Sequence, residues 1–480
     1  MGTGYDLLIR EATLVDGSGA EPYLGDLAVT GDRIAALGDL AGASAQVVID
    51  GRGLVLAPGF IDAHAHDDQA VFQRRTSLAK LSQGVTSVVV GNCGISLAPL
   101  RLTGAPPAPL NLLGGPEVFR YPRFQDYAAA LRRAPLTLNV AALVGHGTLR
   151  VQHQADWSRP ATPEELAAMA ADLREAMAAG SLGLSTGLAY PTNCAAPTAE
   201  VVALARVAAE ASGRLCMHIR DEYDGVAGAV REAFQCARES GAFLVLSHQK
   251  VAGRGNHGRS QELLDLYGSA GAGLGFAIDT YPYAAGSTVL DPVSVAQSAR
   301  VLVTWSEPHP ERNGQTLAAI ARDWGCTELE AMERLQPGGA VYFHMTEADV
   351  SRFLGYHRCM LGSDGLPADH HPHPRLWGAF ARMLAVYVRE RGQFTLAEAV
   401  RKMTALPAEV FGLRERGRLL PGHFADLVLF DPDRVRDCAT YADPELPAEG
   451  VQWVFVNGCQ AWPDPGAVQG AGRFLPSGGC

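Results

Sequence analysis

The segment Pro58-Gly-Phe-Ile-Asp-Ala-His64-Ala-His66 sets two imidazoles two residues apart, directly after a Pro-Gly turn and an apolar run. On a strand such residues point the same way, so His64 and His66 can present both rings to one ion. Four further ligand-type side chains each close an apolar run: Cys93 ends SVVVGNC, His218 ends LCMH, His248 ends FLVLSH and Asp364 ends CMLGSD. Singly, each has an ordinary structural reading: a small buried hydrophobe for Cys93, satisfied core residues for the histidines, a helix N-cap for Asp364. Together, at the ends of successive strands, they point to a metal. Zinc takes mixed sulfur and nitrogen ligands tetrahedrally and leaves one position for water. A thiolate ligand reduces its Lewis acidity, so a nearby base is useful. Asp364 is the candidate: it would take a proton from the attacking water and return it to a departing amine. His64 or His66 can assist the oxyanion.

The elements that must position these groups are β-strands alternating with helices. Residues 84–90 (GVTSVVV) form an apolar, β-branched run suited to a strand buried on both faces. Thr162-Pro-Glu-Glu165 is a capping box with proline at the first helical position, and Gly180 can stop the helix it opens. Strands are expected at 182–185, 215–218, 244–248, 275–280 and 359–363. The repetition favours an α/β fold of the (β/α)8 TIM-barrel type over an open sheet, with active-site groups at the C-terminal ends of the strands. Between residues 289 and 345 the rhythm breaks, and this stretch is read as a lid-like insertion after the seventh strand. Residues 1–57 and 411–480 hold short β-rich runs, which together would form one small β domain, leaving 58–410 as the catalytic barrel.

The remaining composition narrows the setting. With 480 residues, 47% of them hydrophobic, the chain can bury a large core. Forty basic against 51 acidic residues, a net −11, disfavours nucleic acid and anionic membranes as partners. Nine scattered cysteines suit a reducing compartment. The opening MGTGYDLLIR has no basic stretch followed by an apolar one, and no segment approaches the roughly 20 apolar residues of a membrane span. A cytoplasmic protein acting on a small molecule is expected; oligomeric state is not legible.

In order and combination, GFIDAHAHDD, SQGVTSVVVGNCGISLAP, GLSTGLAYPTN, HIRDE, SHQK, DTYPYAAGST, GSDGLP, HPHPRLWG and GRLLPGHFADLVLFD resemble the amidohydrolase superfamily, and within it the N-acyl-D-amino-acid deacylases. The resemblance implies hydrolysis of N-acyl-D-amino acids. It also implies a tight zinc on Cys93, His218 and His248, and a second, weaker position lined by His64, His66 and Asp364. Many superfamily members bridge two metals through a carboxylated lysine; GLSTGLAY has none, which counts against a hydantoinase- or dihydroorotase-like cyclic amidohydrolase. A non-catalytic binding barrel is a further alternative, but such a barrel would be expected to have lost ligands. The resemblance also implies that Arg375, Tyr281 and Ser287 take the substrate α-carboxylate and that Tyr190 walls the pocket. Lys250, two past His248, would face the same mouth and receive an acidic side chain, giving a leaning toward N-acyl-D-glutamate. His146 could line the pocket or satisfy a buried loop, and the His370-His371-Pro-His373 cluster reads as a mobile rim.

Overall fold

The computed structural model describes residues 4–73, 77–463 and 470–478; the outermost residues of the two β-rich ends lie outside them. Two sheets of parallel strands make the centre. One is three-stranded, joining Phe60–Asp62, Val85–Val90 and Asn139–Ala142. The other is six-stranded, running in order through Val144–Gly145, Gly183–Gly187, Arg214–His218, Phe243–Leu246, Phe276–Thr280 and Cys359–Leu361. Almost every residue of these strands is buried, as strands covered on both faces require. The two sheets are joined at both ends: Leu182 N donates to Ala142 O at 2.8 Å, and Ala63 N to Leu361 O at 3.2 Å. Helices including Pro163–Ala179, Thr198–Glu210, Val226–Ser240 and Ser260–Ala270 alternate with the strands. The capping box at Thr162 and Glu165 and the left-handed stop at Gly180 (φ 106°) bound the first of these, as the sequence suggests. One apolar cluster contains Ile61, Val89, Ala141, Leu182, Cys216, Val245, Ala277 and Met360, closed from below by Leu406, Val410 and Phe411.

Both ends of the chain contribute to a single eight-stranded sheet, in which Leu427–Phe430 lies antiparallel beside Val55–Pro58, itself next to Tyr5–Leu14. The stretch after Phe276–Thr280 differs from the sequence expectation. It begins earlier, at Gly286, and holds a three-stranded antiparallel sheet of Gly286–Val289, Gly338–Tyr342 and Val301–Ser306. Two helices, Leu317–Trp324 and Glu328–Leu335, pack on it around a core of Val303, Leu317, Ile320, Met332 and Leu335. None of the helices among the described residues is long and apolar enough to cross a membrane.

A buried ion cluster ties the first parallel strand to the last. Lys80 Nζ lies 2.7 Å from Asp62 Oδ2, 3.1 Å from Asp67 Oδ2 and 2.8 Å from Ser363 Oγ, all of them buried. Burial alone would lower the lysine, but Asp62 and Asp67 outweigh it and keep the ammonium charged. Replacing Lys80 by Met strands two carboxylates in the core, and urea unfolding should show a loss of about 3–5 kcal/mol. An unfolding free energy within about 0.5 kcal/mol of the parent would mean that this cluster does not hold the strands together.

Candidate active site

The six sequence-predicted ligands meet at the C-terminal ends of the parallel strands, but most stand just past them. The strands end at Asp62, Val90, Leu246 and Leu361, so the same-face argument that paired His64 with His66, and His248 with Lys250, does not apply. Local backbone turns do that work instead. Cys93 (φ 56°), His248 (φ 33°) and Asp364 (φ 50°) all hold left-handed backbone, uncommon for residues other than glycine. Backbone bonds fix the turns: Asp364 N donates to His64 O at 2.8 Å, and Ala65 N to Val89 O at 3.0 Å. Gly362 is close against His64; a Cβ there would stand 2.5 Å from the histidine's own.

Two groups of ligand atoms share the Cys93 sulfur. In one, Cys93 Sγ lies 3.2 Å from His248 Nε2, which lies 2.8 Å from His218 Nδ1. In the other, the same sulfur lies 3.2 Å from His64 Nε2, and Asp364 Oδ1 lies 3.4 Å from His64 Nε2 and 3.1 Å from His66 Nε2. Within each group the donor atoms fall within 4.8 Å of one another, and all six residues are buried. Burial would push the Cys93 thiol up, but His64 and His248 outweigh it and hold it well below its ordinary range, which favours the thiolate. Burial likewise opposes ionisation of Asp364, yet Arg375, His248 and His64 hold it well below the usual carboxylate range. A thiolate with two imidazoles, leaving one side open, is a donor set that fits zinc.

The predicted substrate residues divide. Tyr190, Lys250, Tyr281 and Ser287 line a cavity of about 710 Å³ that opens onto Cys93, His218, His248 and Asp364. Arg375 does not line it. It is fully buried behind Tyr281, with its guanidinium carbon 4.5 Å from the ring centroid and Nη1 2.9 Å from Asp364 Oδ2. That contact is not in line for a hydrogen bond, and both Nη1 and Nε have no hydrogen-bond partner, while Nη2 donates to Ser287 O at 3.1 Å. Lys250 Nζ is engaged as well, 2.7 Å from Glu222 Oε1 and 2.6 Å from His248 Nδ1. His146 lies away from the cavity, between Glu200 (3.0 Å) and Thr186 (3.2 Å), a satisfied buried residue. The His370–His373 segment is no loose rim: His373 is buried with Nε2 donating to Ala285 O at 3.0 Å, and His371 Nε2 donates to Tyr441 O at 2.9 Å.

Three residues of the site went unseen in the sequence. Asp279 Oδ1 accepts from His64 Nδ1 at 3.0 Å and from the His248 backbone N–H at 2.8 Å. With its proton held on Nδ1, His64 directs the Nε2 lone pair at the ligand cluster. Glu222, inside the HIRDE motif, stands 3.1 Å from His248 Nδ1. His344, which ends an apolar run AVYFH just as His218 ends LCMH, reaches the cavity from the insertion. The strand-end pattern could have found it.

Residues 47–288 and 356–460 match the amidohydrolase family. The chain is 48% identical to a D-aminoacylase of Alcaligenes xylosoxydans xylosoxydans, over 98% of this chain and 97% of that one. It is 46% identical to an N-acyl-D-glutamate deacylase of the same organism, over 98% and 96% of the two chains. Among solved structures, the N-acyl-D-glutamate deacylase of Bordetella bronchiseptica, complexed with zinc and a phosphonate that mimics the tetrahedral intermediate, superposes with a TM-score of 0.96. That pair is 45% identical over 99% of this chain and 100% of the other. Releasing His64 from its carboxylate should loosen whatever metal the cluster holds. Asp279→Ala should bind zinc about 10- to 100-fold more weakly in competition with a chromogenic chelator, and parental affinity would mean that Asp279 does not orient a ligand.

Proposed function

The chain belongs to the amidohydrolase family, in its D-aminoacylase branch, and from that premise we propose that it is a zinc-dependent hydrolase of N-acyl-D-amino acids, releasing a carboxylate and a free D-amino acid. The observation that carries this reading is the shared sulfur. One buried thiolate joins a Cys93–His218–His248 group to a His64–His66–Asp364 group, beside a cavity large enough for a small acyl amino acid. The first group is the tight zinc site of this reading and the second a weaker one. Zinc, when bound, polarises an amide carbonyl and makes water a better nucleophile.

The chain's own residues supply the rest. Asp364, ionised through Arg375 and the neighbouring imidazoles, accepts the proton of the attacking water at a carboxylate oxygen. Its low proton affinity then favours handing that proton to the departing amine nitrogen. His66 Nε2, beside Asp364 Oδ1, orients the carboxylate and lies near the oxygen on which negative charge develops. Tyr281 is read as a donor to the substrate α-carboxylate and Ser287 as a second one once its hydroxyl turns from Ala340 O, 3.2 Å away; the unpartnered Nε and Nη1 of Arg375 support the same assignment for this residue. Tyr190, its hydroxyl 3.0 Å from Thr288 Oγ1, forms the opposite wall. Lys250 is the residue we assign to an acidic substrate side chain, with ammonium hydrogens left after Glu222 is served.

The architecture is read in the same spirit. A single apolar cluster drawing residues from seven of the parallel strands, with Leu143 and Leu182 directly ahead of the other two, supports a closed (β/α)8 barrel over residues 58–410. Residues 1–57 and 411–480 are read as its small β domain. A cytoplasmic location is in keeping with the scattered cysteines, none of them in a disulfide among the described residues.

A zinc-loaded activity screen across N-acetyl-D- and N-acetyl-L-amino acids, with hydantoin and dihydroorotate alongside, should show turnover of the D series alone. Turnover of a cyclic amide in their place, or activity indifferent to chelators, would remove the proposal. Asp364→Asn should lower kcat by about 10²- to 10⁴-fold while retaining zinc, and Cys93→Ala should lose both zinc and activity. In Lys250→Ala, KM for N-acetyl-D-glutamate should rise more than KM for N-acetyl-D-leucine; equal changes would take the acidic leaning away from Lys250.

A further inference from the structure

We propose that His344 is a substrate-binding residue, whose Nε2–H donates to the substrate carboxylate in a gap between the Gly286 backbone and the Tyr281 hydroxyl. The inference rests on the deacylase reading above and adds to it a donor carried by the insertion.

Two buried polar atoms on this wall have no hydrogen-bond partner: His344 Nε2 and the Tyr281 hydroxyl. Leaving such groups unpaired is costly, so a site that buries them needs a ligand to serve them. They converge on one spot. A Cβ built on Gly286 would stand 3.0 Å from His344 Nε2 and 3.5 Å from the Tyr281 hydroxyl. Gly286 is not among the residues with positive φ, so its backbone does not call for glycine. What it provides is space, bounded by two donors and open to the cavity that all three residues line.

The other nitrogen of His344 has a partner of its own. Nδ1 lies 3.3 Å from the Tyr223 hydroxyl, which lies 2.8 Å from Ser294 Oγ. With Ser294 donating to Tyr223 and Tyr223 donating to Nδ1, the ring hydrogen resides on Nε2 and faces the gap. Burial, with Lys250 adding to it, pushes the ring down to about 3, so near neutral pH it is a neutral donor. The gap suits an anion. Arg375 lies over the Tyr281 ring with its guanidinium carbon 4.5 Å from the centroid, and Lys250 Nζ stands 5.9 Å from the same centroid. An apolar side chain placed there would leave both donors unserved; a carboxylate, with four lone-pair sites, serves both.

The test compares the N-acetyl-D-amino acid that the wild type turns over best with its primary carboxamide. His344→Phe should raise KM for the carboxylate substrate about 10- to 100-fold, the scale of one lost hydrogen bond to a charged group. The change should fall in KM far more than in kcat, leave zinc content unchanged, and be small for the carboxamide. His344→Gln, which keeps a donor, should recover most of the loss. Gly286→Ala, which fills the gap without removing a polar atom, should reproduce it even if the phenylalanine variant folds poorly. An unchanged KM in His344→Phe, or an equal rise for carboxylate and carboxamide, would overturn the assignment of His344 alone. A wild type inactive on every N-acetyl-D-amino acid would instead overturn the deacylase reading, and this assignment with it.

Discussion

A single carboxylate oxygen holds the two halves of the ligand cluster in register. Asp279 Oδ1, near the end of the strand Phe276–Thr280, accepts from the ring of His64 and from the backbone of His248. The two histidines belong to different ligand groups, and both flank Cys93 Sγ at 3.2 Å. The oxygen therefore sets the orientation of one ring and the position of the other's main chain. Around it the backbone carries left-handed turns at Cys93, His248 and Asp364, each costing on the order of 1–3 kcal/mol. Such turns persist because hydrogen bonds to neighbouring strands over-determine them. Beside them, the Lys80 cluster binds Asp62 at the end of the first parallel strand to Ser363 just past the last, next to His66 and Asp364, and so restrains the ligand-bearing turns.

The site divides labour between two bodies of chain. Ligands and their supports come from the parallel strands and the turns just beyond them. Much of the cavity wall comes from the insertion, with Ser287, Thr288, Leu290, Val293 and His344 among its contributors. The insertion has a hydrophobic core of its own, distinct from the cluster at the centre of the parallel strands. Substitutions on that wall can alter which acyl amino acid fits without touching a ligand or the carboxylates behind it. Arg375 crosses the division. It runs from Asp364 to the backbone of Ser287, so the ionisation of the base and the placement of the substrate wall are coupled through one guanidinium.

Much of the candidate ligand set was legible in the sequence, because Cys93, His218, His248 and Asp364 each follow an apolar run and strand ends are where this architecture gathers function. The strands themselves were drawn too long at 244–248 and 359–363. The residues that carry the ligands have left the strand, and ordinary patterning does not announce a left-handed turn at Cys, His or Asp. Asp279 escaped for a different reason: its partners, the His64 ring and the His248 backbone, lie 215 and 31 residues away, and an acidic residue inside FAIDT has no spacing to betray it. Lys80 is similar, with its partners 18 and 283 residues distant. The sheet in the insertion was missed because its strands are short, antiparallel and separated by Pro-containing and helical segments. Arg375 was read as lying in a loop, whereas it opens the helix Arg375–Arg382, buried behind Tyr281 and beside Asp364.

The eight-stranded sheet that joins both chain ends has a consequence for biosynthesis. Val55–Pro58 leaves the ribosome early, yet Leu427–Phe430, which covers its edge, is made some 370 residues later. At elongation rates of about 5–20 residues per second, that edge waits on the order of tens of seconds without its neighbour. Throughout that interval the nascent chain presents an uncapped apolar ribbon, and a chaperone that shields it until translation ends would act where the topology leaves the polypeptide most exposed to aggregation.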